Sequence, residues 1–254
     1  MHEVDVRLSK EPKVKNPIFV EGLPGVGNVG KLAAEHLIDE LKATRFAQVL
    51  SKDFPPQVFV QSDGTIKLVD NGLYFWKATK KGQRDLILLT GDYQGLSSQG
   101  QYEIVDKILD ILEKYGTKEI FTLGGYGLGR MVAKPNVLGA ATSKELVKRM
   151  KGLGVQFRED EPGGGIVGAS GLFLGLGKLR KMEGVCLMGE TSGYLVDPKS
   201  AQAVLEILCK TLNVTVKFDS LENKAREMDR VAQQLRDLER KSGEKSSDEL
   251  RYIG

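Results

Sequence analysis

The amino-acid sequence predicts an α/β fold in which a mostly parallel β-sheet is covered by helices on both faces. Short, continuously apolar segments alternate along the chain with longer segments whose apolar residues recur at helical spacing. Glycine-rich turns follow several of the apolar segments. This order is typical of β–α crossovers, which place successive strands side by side in the same direction.

The first repeat of this pattern starts with PIFVE at residues 17–21, a short apolar strand. A glycine turn leads from it into a helix predicted over about residues 29–42, and a second strand is predicted at 45–50. Residues 55–80 then alternate apolar with polar side chains and contain the turn sequences SDG and DNG. This pattern predicts a small antiparallel β-insert.

The α/β rhythm then continues to about residue 212, so residues 1–212 are predicted to form one core domain. Ligand sites in such sheets lie at the carboxyl ends of the strands, and four glycine-bearing loops fall there. The further predicted strands are residues 85–91, 119–123, 154–160 and 184–190, and the predicted helices are about 98–115, 143–151 and 198–212.

A long C-terminal helix is predicted over residues 213–241, and it carries a narrow apolar stripe. No glycine or proline occurs between Asp219 and Lys241, and most residues outside the stripe are charged or carry an amide. Such a stripe is typical of a coiled-coil or docking seam, or of a terminal helix that lies on its own domain; the sequence leaves both open. The stripe residues are Leu221, Ala225, Met228, Ala232, Leu235 and Leu238.

The last segment, residues 242–254, is predicted to be a flexible tail because it is rich in serine, glycine and charge. Its tip nevertheless carries Leu250, Tyr252 and Ile253. A flexible tail has no folding reason to end in apolar and aromatic residues. They indicate a short peptide that docks into a pocket of a partner, the alternative being apolar residues without a role.

The composition narrows the function classes. The net charge of +3 is nearly balanced, which favours neither nucleic acid nor a membrane surface as partner. No apolar run approaches the ~20 residues of a membrane span, and no signal segment opens the chain, so we expect a cytoplasmic protein. Cys186 and Cys209 are expected to be buried free thiols. With His2 and His36 as the only histidines, we expect neither a catalytic triad nor a metal site.

The stretch EGLPGVGNVGKLAAEHL, residues 21–37, resembles two phosphate-binding motifs at once. Gly25, Gly27 and Gly30 fit G-x-G-x-x-G, and Gly25, Gly30 and the following lysine fit the start of a P-loop. Leu32, however, stands where a P-loop needs a hydroxyl for Mg²⁺. The simpler interpretation is structural, because glycine permits a sharp turn and close contact between helix and sheet.

A nucleotide- or nucleoside-binding enzyme remains the alternative hypothesis. It would use Lys31, Asp92 and Arg130 around the glycine loops, with Glu21 and Glu190 nearby. None of these residues has a sequence neighbour that defines a reaction. Amide groups at the start of the helix after the glycine turn could still bind an anion.

Five loop sequences occur together in a fixed order: FVEGLPGVGNVG, LTGDYQ, TLGGYGLGR, PGGGIVGASGLFLG and GETSGYLVDPKSA. Over residues 16–211 the chain thereby resembles the archaeal branch of the proteasome assembly chaperone family, and it is similar to members that act as ATP-independent proteasome activators. The resemblance implies a three-layer α/β/α sandwich without enzymatic activity or cofactor. It also implies a homo-oligomer, with a tetramer favoured, that binds the α-subunits of the 20S proteasome.

Under this resemblance, four glycines of the first loop are structural: Gly22, Gly25, Gly27 and Gly30. Proteasome activators dock a C-terminal hydrophobic–Tyr–any tripeptide, whose carboxylate meets a lysine between α-subunits. Here Tyr252 and the carboxylate of Gly254 match this role, with Leu250 and Ile253 as apolar supports. Tyr252 is third from the end rather than second, which departs from this tripeptide pattern.

Overall fold

The computed structural model describes residues 3–158, 164–231 and 233. Eight strands form one central sheet in the order β1-β3-β6-β7-β2-β8-β10-β9, and β4 pairs with β5 in a separate two-stranded sheet. The strands are β1 (Val4–Leu8), β2 (Ile18–Glu21), β3 (Thr44–Ser51), β4 (Val58–Val60), β5 (Ile66–Leu68), β6 (Asn71–Trp76), β7 (Leu86–Gly91), β8 (Glu119–Gly127), β9 (Val137–Ala141) and β10 (Glu183–Thr191).

Helices follow β2, β7, β9 and β10 of the central sheet. The helices are α1 (Val29–Leu41), α2 (Ser98–Lys114), α3 (Lys144–Lys151), α4 (Ala169–Leu179), α5 (Pro198–Leu212) and α6, which spans residues 219–231. Side-chain caps fix three of the starts: Ser97, Ser143 and Asp197 each accept a hydrogen bond from a backbone N–H in the first turn of α2, α3 and α5. Within the described ranges, no helix has both the length and the apolar character needed to cross a bilayer.

The predicted mostly parallel sheet is confirmed. Strands β2, β3, β7, β8 and β10 run in one direction, and β1, β6 and β9 run in the other. The centre, β7-β2-β8-β10, is parallel throughout, as β–α crossovers require. Antiparallel pairs lie only toward the two edges of this sheet, with β1-β3, β3-β6 and β6-β7 on one side and β10-β9 on the other.

The three-layer arrangement is confirmed by two separate apolar cores, one on each face of the sheet. One core joins the sheet to α1, α3, α5 and the start of α6. The other joins it to α2 and α4. Strand β2 is buried along its whole length because both of its faces are covered.

Two local predictions differ from the structure. The antiparallel insert is confirmed as the β4–β5 hairpin but is shorter than residues 55–80, because β6 joins the central sheet between β3 and β7. The predicted strand at residues 154–160 is wrong for its described part. Only a single bridge, between Gln156 and Leu138, forms there.

Candidate functional site

The glycine loop lies between β2 and α1, at the carboxyl end of the sheet, and two of its glycines allow α1 to approach the sheet closely. A Cβ atom on Gly22 would lie 2.2 Å from the carbonyl oxygen of Gly30. A Cβ atom on Gly30 would lie 2.1 Å from the carbonyl oxygen of Leu123 in β8. Both distances are far below van der Waals contact, so only glycine fits at these two positions.

The other two glycines of the loop differ from each other. Gly27 has φ of 61°, in the left-handed region that favours glycine, and its carbonyl accepts a hydrogen bond from the amide of Asp197 at 2.9 Å. Gly25 faces open space, since the nearest atom to an added Cβ is an amide nitrogen of Gln94 at 3.9 Å. Local packing and conformation therefore explain Gly22, Gly27 and Gly30, and Gly25 is free of steric constraint.

The loops at this end of the sheet are packed against one another. The carbonyl oxygen of Val26 lies 2.2 Å from where a Cβ on Gly125 would be, so the first glycine loop rests on the glycines of β8. The side chain of Thr191, at the end of β10, lies against Gly27. Doubly wound proteins bind ligands in the crevice at this position. Here the backbone of the first loop contacts the ends of β8 and β10.

Glu21 is fully buried at the end of β2. Its carboxylate accepts hydrogen bonds from the Ser170 hydroxyl at 2.8 Å and from the Leu23 amide at 2.9 Å. Burial raises the pKa of Glu21 to about 7, and the two hydrogen bonds partly offset this rise. Glu21 thereby links the glycine loop to the first turn of α4 on the opposite face from α1.

Two of the charged residues of the alternative enzyme hypothesis, Lys31 and Asp92, have structural partners. The Lys31 ammonium donates to the carbonyl of Gly91 at 2.6 Å and pairs with Glu35 at 3.2 Å. Asp92 pairs with Lys67 at 3.0 Å. Arg130 is exposed in the segment after β8.

Glu190 is also bound within the fold. One of its carboxylate oxygens accepts from the backbone and side-chain amides of Asn136, at 3.1 and 2.8 Å, and the other lies 3.5 Å from Arg158. Each acid near the carboxyl edge therefore stabilises a different loop. In the part of the chain that the structure describes, no group of three or more His, Cys, Asp or Glu side chains could hold a metal ion.

The described part of α6 lies on its own domain. Leu221 and Ala225 are buried, and Leu221 belongs to the core that includes α1 and α5. Met228 is half-buried, and Asp229 pairs with Lys199 of α5 at 2.8 Å. The remaining stripe residues, Ala232, Leu235 and Leu238, lie outside the described residues, as do His2 and the tail residues Leu250, Tyr252, Ile253 and Gly254.

The sequence analysis missed an exposed apolar surface on the β4–β5 hairpin. Val58, Val60, Ile66 and Leu68 are all at least 43% exposed. The strand alternation around residues 58–68 was visible, but it gives no indication of which side faces solvent.

These features describe an α/β/α sandwich whose glycine loops hold its elements together, and comparison with known proteins places it in a family. Residues 19–236 match the PAC2 family, and the chain belongs to that family. An uncharacterized protein of Methanocaldococcus jannaschii is 42% identical over 247 residues, which cover 95% of this chain and 93% of the relative.

Two solved structures from Pyrococcus furiosus resemble this fold closely. One is PbaB, described as an archaeal proteasome activator, with 43% identity and a TM-score of 0.88; the match covers 93% of this chain and all of PbaB. The other is PbaA, described as an archaeal homolog of proteasome-assembly chaperone, with 29% identity and a TM-score of 0.76 over 99% of this chain and all of PbaA.

Proposed function

We propose that this protein binds the 20S proteasome without ATP and without catalysing a reaction, and that it acts as an activator, as an assembly chaperone, or as both. The observation that carries the proposal is the match to PbaB, an archaeal proteasome activator, at 43% identity over the whole of that chain. The lower identity to PbaA, at 29%, favours the activator role over the assembly role.

The carboxyl end of the sheet supports a non-enzymatic role. Glu21, Asp92 and Glu190 each have a partner that fixes a different loop. A catalytic site would instead bring such groups together around a space for substrate. The interlocked glycine loops also hold elements of the fold together, since they join α1, β8 and β10 at one point.

In this proposal the C-terminal residues dock between α-subunits of the proteasome, in the cytoplasm. The docking groups are Leu250, Tyr252, Ile253 and the Gly254 carboxylate. In the proposed homotetramer, several copies of this tail act together. Linking weak binding events can raise the overall affinity by ~10²–10⁴. Binding energy alone then shifts the gate of the α-ring, and no nucleotide is needed.

The test is hydrolysis of a short peptide and of an unfolded protein by archaeal 20S proteasome in the absence of ATP. The full-length chain is compared with a variant lacking residues 250–254, and with Arg251→Ala, which alters the tail but keeps Leu250, Tyr252 and Ile253. We expect stimulation by the full-length chain and by Arg251→Ala, and none by the truncated variant.

The two proposed roles separate by the form of proteasome that is bound. Pull-down with free α-subunits and with mature 20S particles measures this directly. Binding to free α-subunits without stimulation of mature particles would assign the protein to assembly. Normal binding to both forms by the truncated variant would overturn docking through the tail.

A further inference from the structure

The β4–β5 hairpin separates its apolar and polar side chains onto two faces. In the antiparallel register, Val58 is opposite Leu68, Phe59 is opposite Lys67, and Val60 is opposite Ile66. Side chains alternate between the two faces of a strand, and directly opposed residues share a face. One face is therefore wholly aliphatic, with Val58, Val60, Ile66 and Leu68, and we call it the aliphatic face.

Ion pairs turn the other face of the hairpin toward the body of the protein. The Lys67 ammonium lies 3.0 Å from Asp92 and 3.5 Å from the buried Asp70. Gln57, just before β4, donates to the Tyr93 hydroxyl at 2.8 Å. Because Lys67 points inward, the aliphatic face points outward. This is the reverse of the usual arrangement, in which a small sheet presents polar side chains to water.

The aliphatic face is the more exposed of the two, since Phe59 on the other face is 37% exposed. Val60 is 75% exposed and Ile66 is 70% exposed. A two-stranded hairpin is marginally stable alone and gains stability when an apolar face is covered. Contiguous exposed apolar side chains on a folded protein mark interaction surfaces.

The same hairpin forms one wall of an apolar groove. The groove has a volume of about 470 Å³. Val58 and Leu68 line it from the hairpin, and Phe54, Pro55 and Pro56 line it from the segment that follows β3. Val60 and Ile66, at the far end of the hairpin, do not line it. The hairpin thus carries a projecting aliphatic pair beside a mainly apolar groove, which Lys52 also lines.

We propose that the aliphatic face binds a second copy of this chain across a two-fold axis, with Val60 and Ile66 of each copy inserted into the groove of the other. A two-fold interface uses the same patch on both partners, so that patch must complement itself. An aliphatic projection and a mainly apolar groove beside it meet this requirement. No charged side chain lies on the aliphatic face to select a charged partner.

The aliphatic face has the size expected for the central part of such an interface. A standard interface buries about 800 Å² on each partner. Four aliphatic side chains supply only part of this area, and the exposed groove residues Lys52, Pro56 and Gln57 supply a rim next to them. The assignment rests on the self-association in the proposed function and identifies one of its surfaces.

The first experiment measures the mass of the full chain in solution by sedimentation. We compare the wild type with Val60→Glu/Ile66→Glu and with a matched control, Val167→Glu/Leu179→Glu, whose two residues are at least 80% exposed elsewhere on the surface. We expect the hairpin variant to have half the wild-type mass or less, and the control to keep the wild-type mass. Unchanged thermal unfolding of the separated chain would show that the fold is intact.

A second experiment detects the contact directly. Cys186 and Cys209 are buried, so cysteines placed at the surface are the accessible thiols of the described chain. We expect Val60→Cys/Pro56→Cys, with one thiol on the projection and one on the groove wall, to form a disulfide-linked dimer on mild oxidation. The control Leu179→Cys/Pro56→Cys should remain a single chain.

Three results would overturn the assignment: a monomeric wild type, a hairpin variant with the wild-type mass, or equal loss of mass in the control. All three are independent of proteasome stimulation through the tail. An unaffected hairpin variant together with an inactive truncated variant would leave the proposed function standing and remove only this interface.

Discussion

Gly30 shows how a single residue determines the distance between a helix and a sheet. A Cβ atom at this position would lie 2.1 Å from the backbone oxygen of Leu123, and backbone cannot move aside without shifting β8. We expect Gly30→Ala to lower the free energy of unfolding by about 1–3 kcal/mol or more, as other overpacked sites do. Urea unfolding followed by circular dichroism measures the change.

Gly25 provides the matched control in the same loop. Its nearest atom to an added Cβ is 3.9 Å away, which is ordinary contact. We expect Gly25→Ala to change stability by no more than about 0.5 kcal/mol. A loss as large as that of Gly30→Ala would mean that Gly25 has a role other than packing, such as anion binding by the loop.

Glu21 makes stability depend on pH. Its pKa is about 7 in the folded chain, against 4.5 as its ordinary value. Between these pH values the folded chain holds a proton that the unfolded chain has released, so raising the pH through this window lowers the free energy of unfolding. The full effect is about 3 kcal/mol. We expect Glu21→Gln to remove it.

The measurement is urea unfolding of the wild type and of Glu21→Gln at pH 5 and pH 8. At each pH, the unfolding free energy of the wild type is subtracted from that of the variant. This difference should be larger at pH 8 than at pH 5. Glu35→Gln, which removes a partly exposed carboxylate from α1, is the control and should leave the pH dependence unchanged. An equal pH dependence in the wild type and in Glu21→Gln would show that Glu21 is not responsible.

At the scale of elements, α6 is held to the domain mainly by apolar contact. Leu221 is 1% exposed, whereas the Lys199–Asp229 pair lies at the surface and contributes little. We expect Leu221→Ala to speed amide hydrogen exchange over residues 219–231, because the helix loses its buried anchor. Mass spectrometry of exchanged peptides measures this, and Glu222→Ala, on the exposed side, should leave exchange unchanged.

Most elements could be predicted because each has a strong periodic or apolar signal. Strand β7 is a continuous apolar run, and α2 has both a serine cap and helical spacing. The start of β6 could not be predicted in this way. Its DNG sequence is typical of a turn, but Asp70 is paired with Arg45 and Asn71 is buried inside the sheet. Tertiary contacts here override the local preference.

The candidate site was less accessible to sequence analysis than the fold. The structural role of Gly22 and Gly30 depends on the backbone of α1 and β8, which are distant in sequence. The link from Glu21 to Ser170 joins residues 149 positions apart. Spacing within a motif carries no information on such contacts, so the packing role could be preferred from the departure at Leu32 but its partners could not be named.

At the scale of the whole molecule, self-association and docking are expected to be coupled through the number of tails. The Val60→Glu/Ile66→Glu variant keeps residues 242–254 but presents fewer tails on one particle. We expect its apparent affinity for the 20S proteasome to fall by up to ~10²–10⁴. The apparent affinity is measured by binding each variant to proteasome immobilised on a surface at low density. The control Val167→Glu/Leu179→Glu should bind as the wild type does.

The position of β2 at the centre of the sheet has a consequence for the order in which the chain folds. Its ladder partners come much later in the sequence: Ile18 pairs with Leu86 of β7 and with Glu119 of β8. During synthesis β2 therefore lacks its partner β8 until nearly half of the chain has left the ribosome. Contacts of such long sequence separation form slowly. A protein of this topology has its aggregation-prone interval early in its own synthesis, before β8 has closed the centre of the sheet.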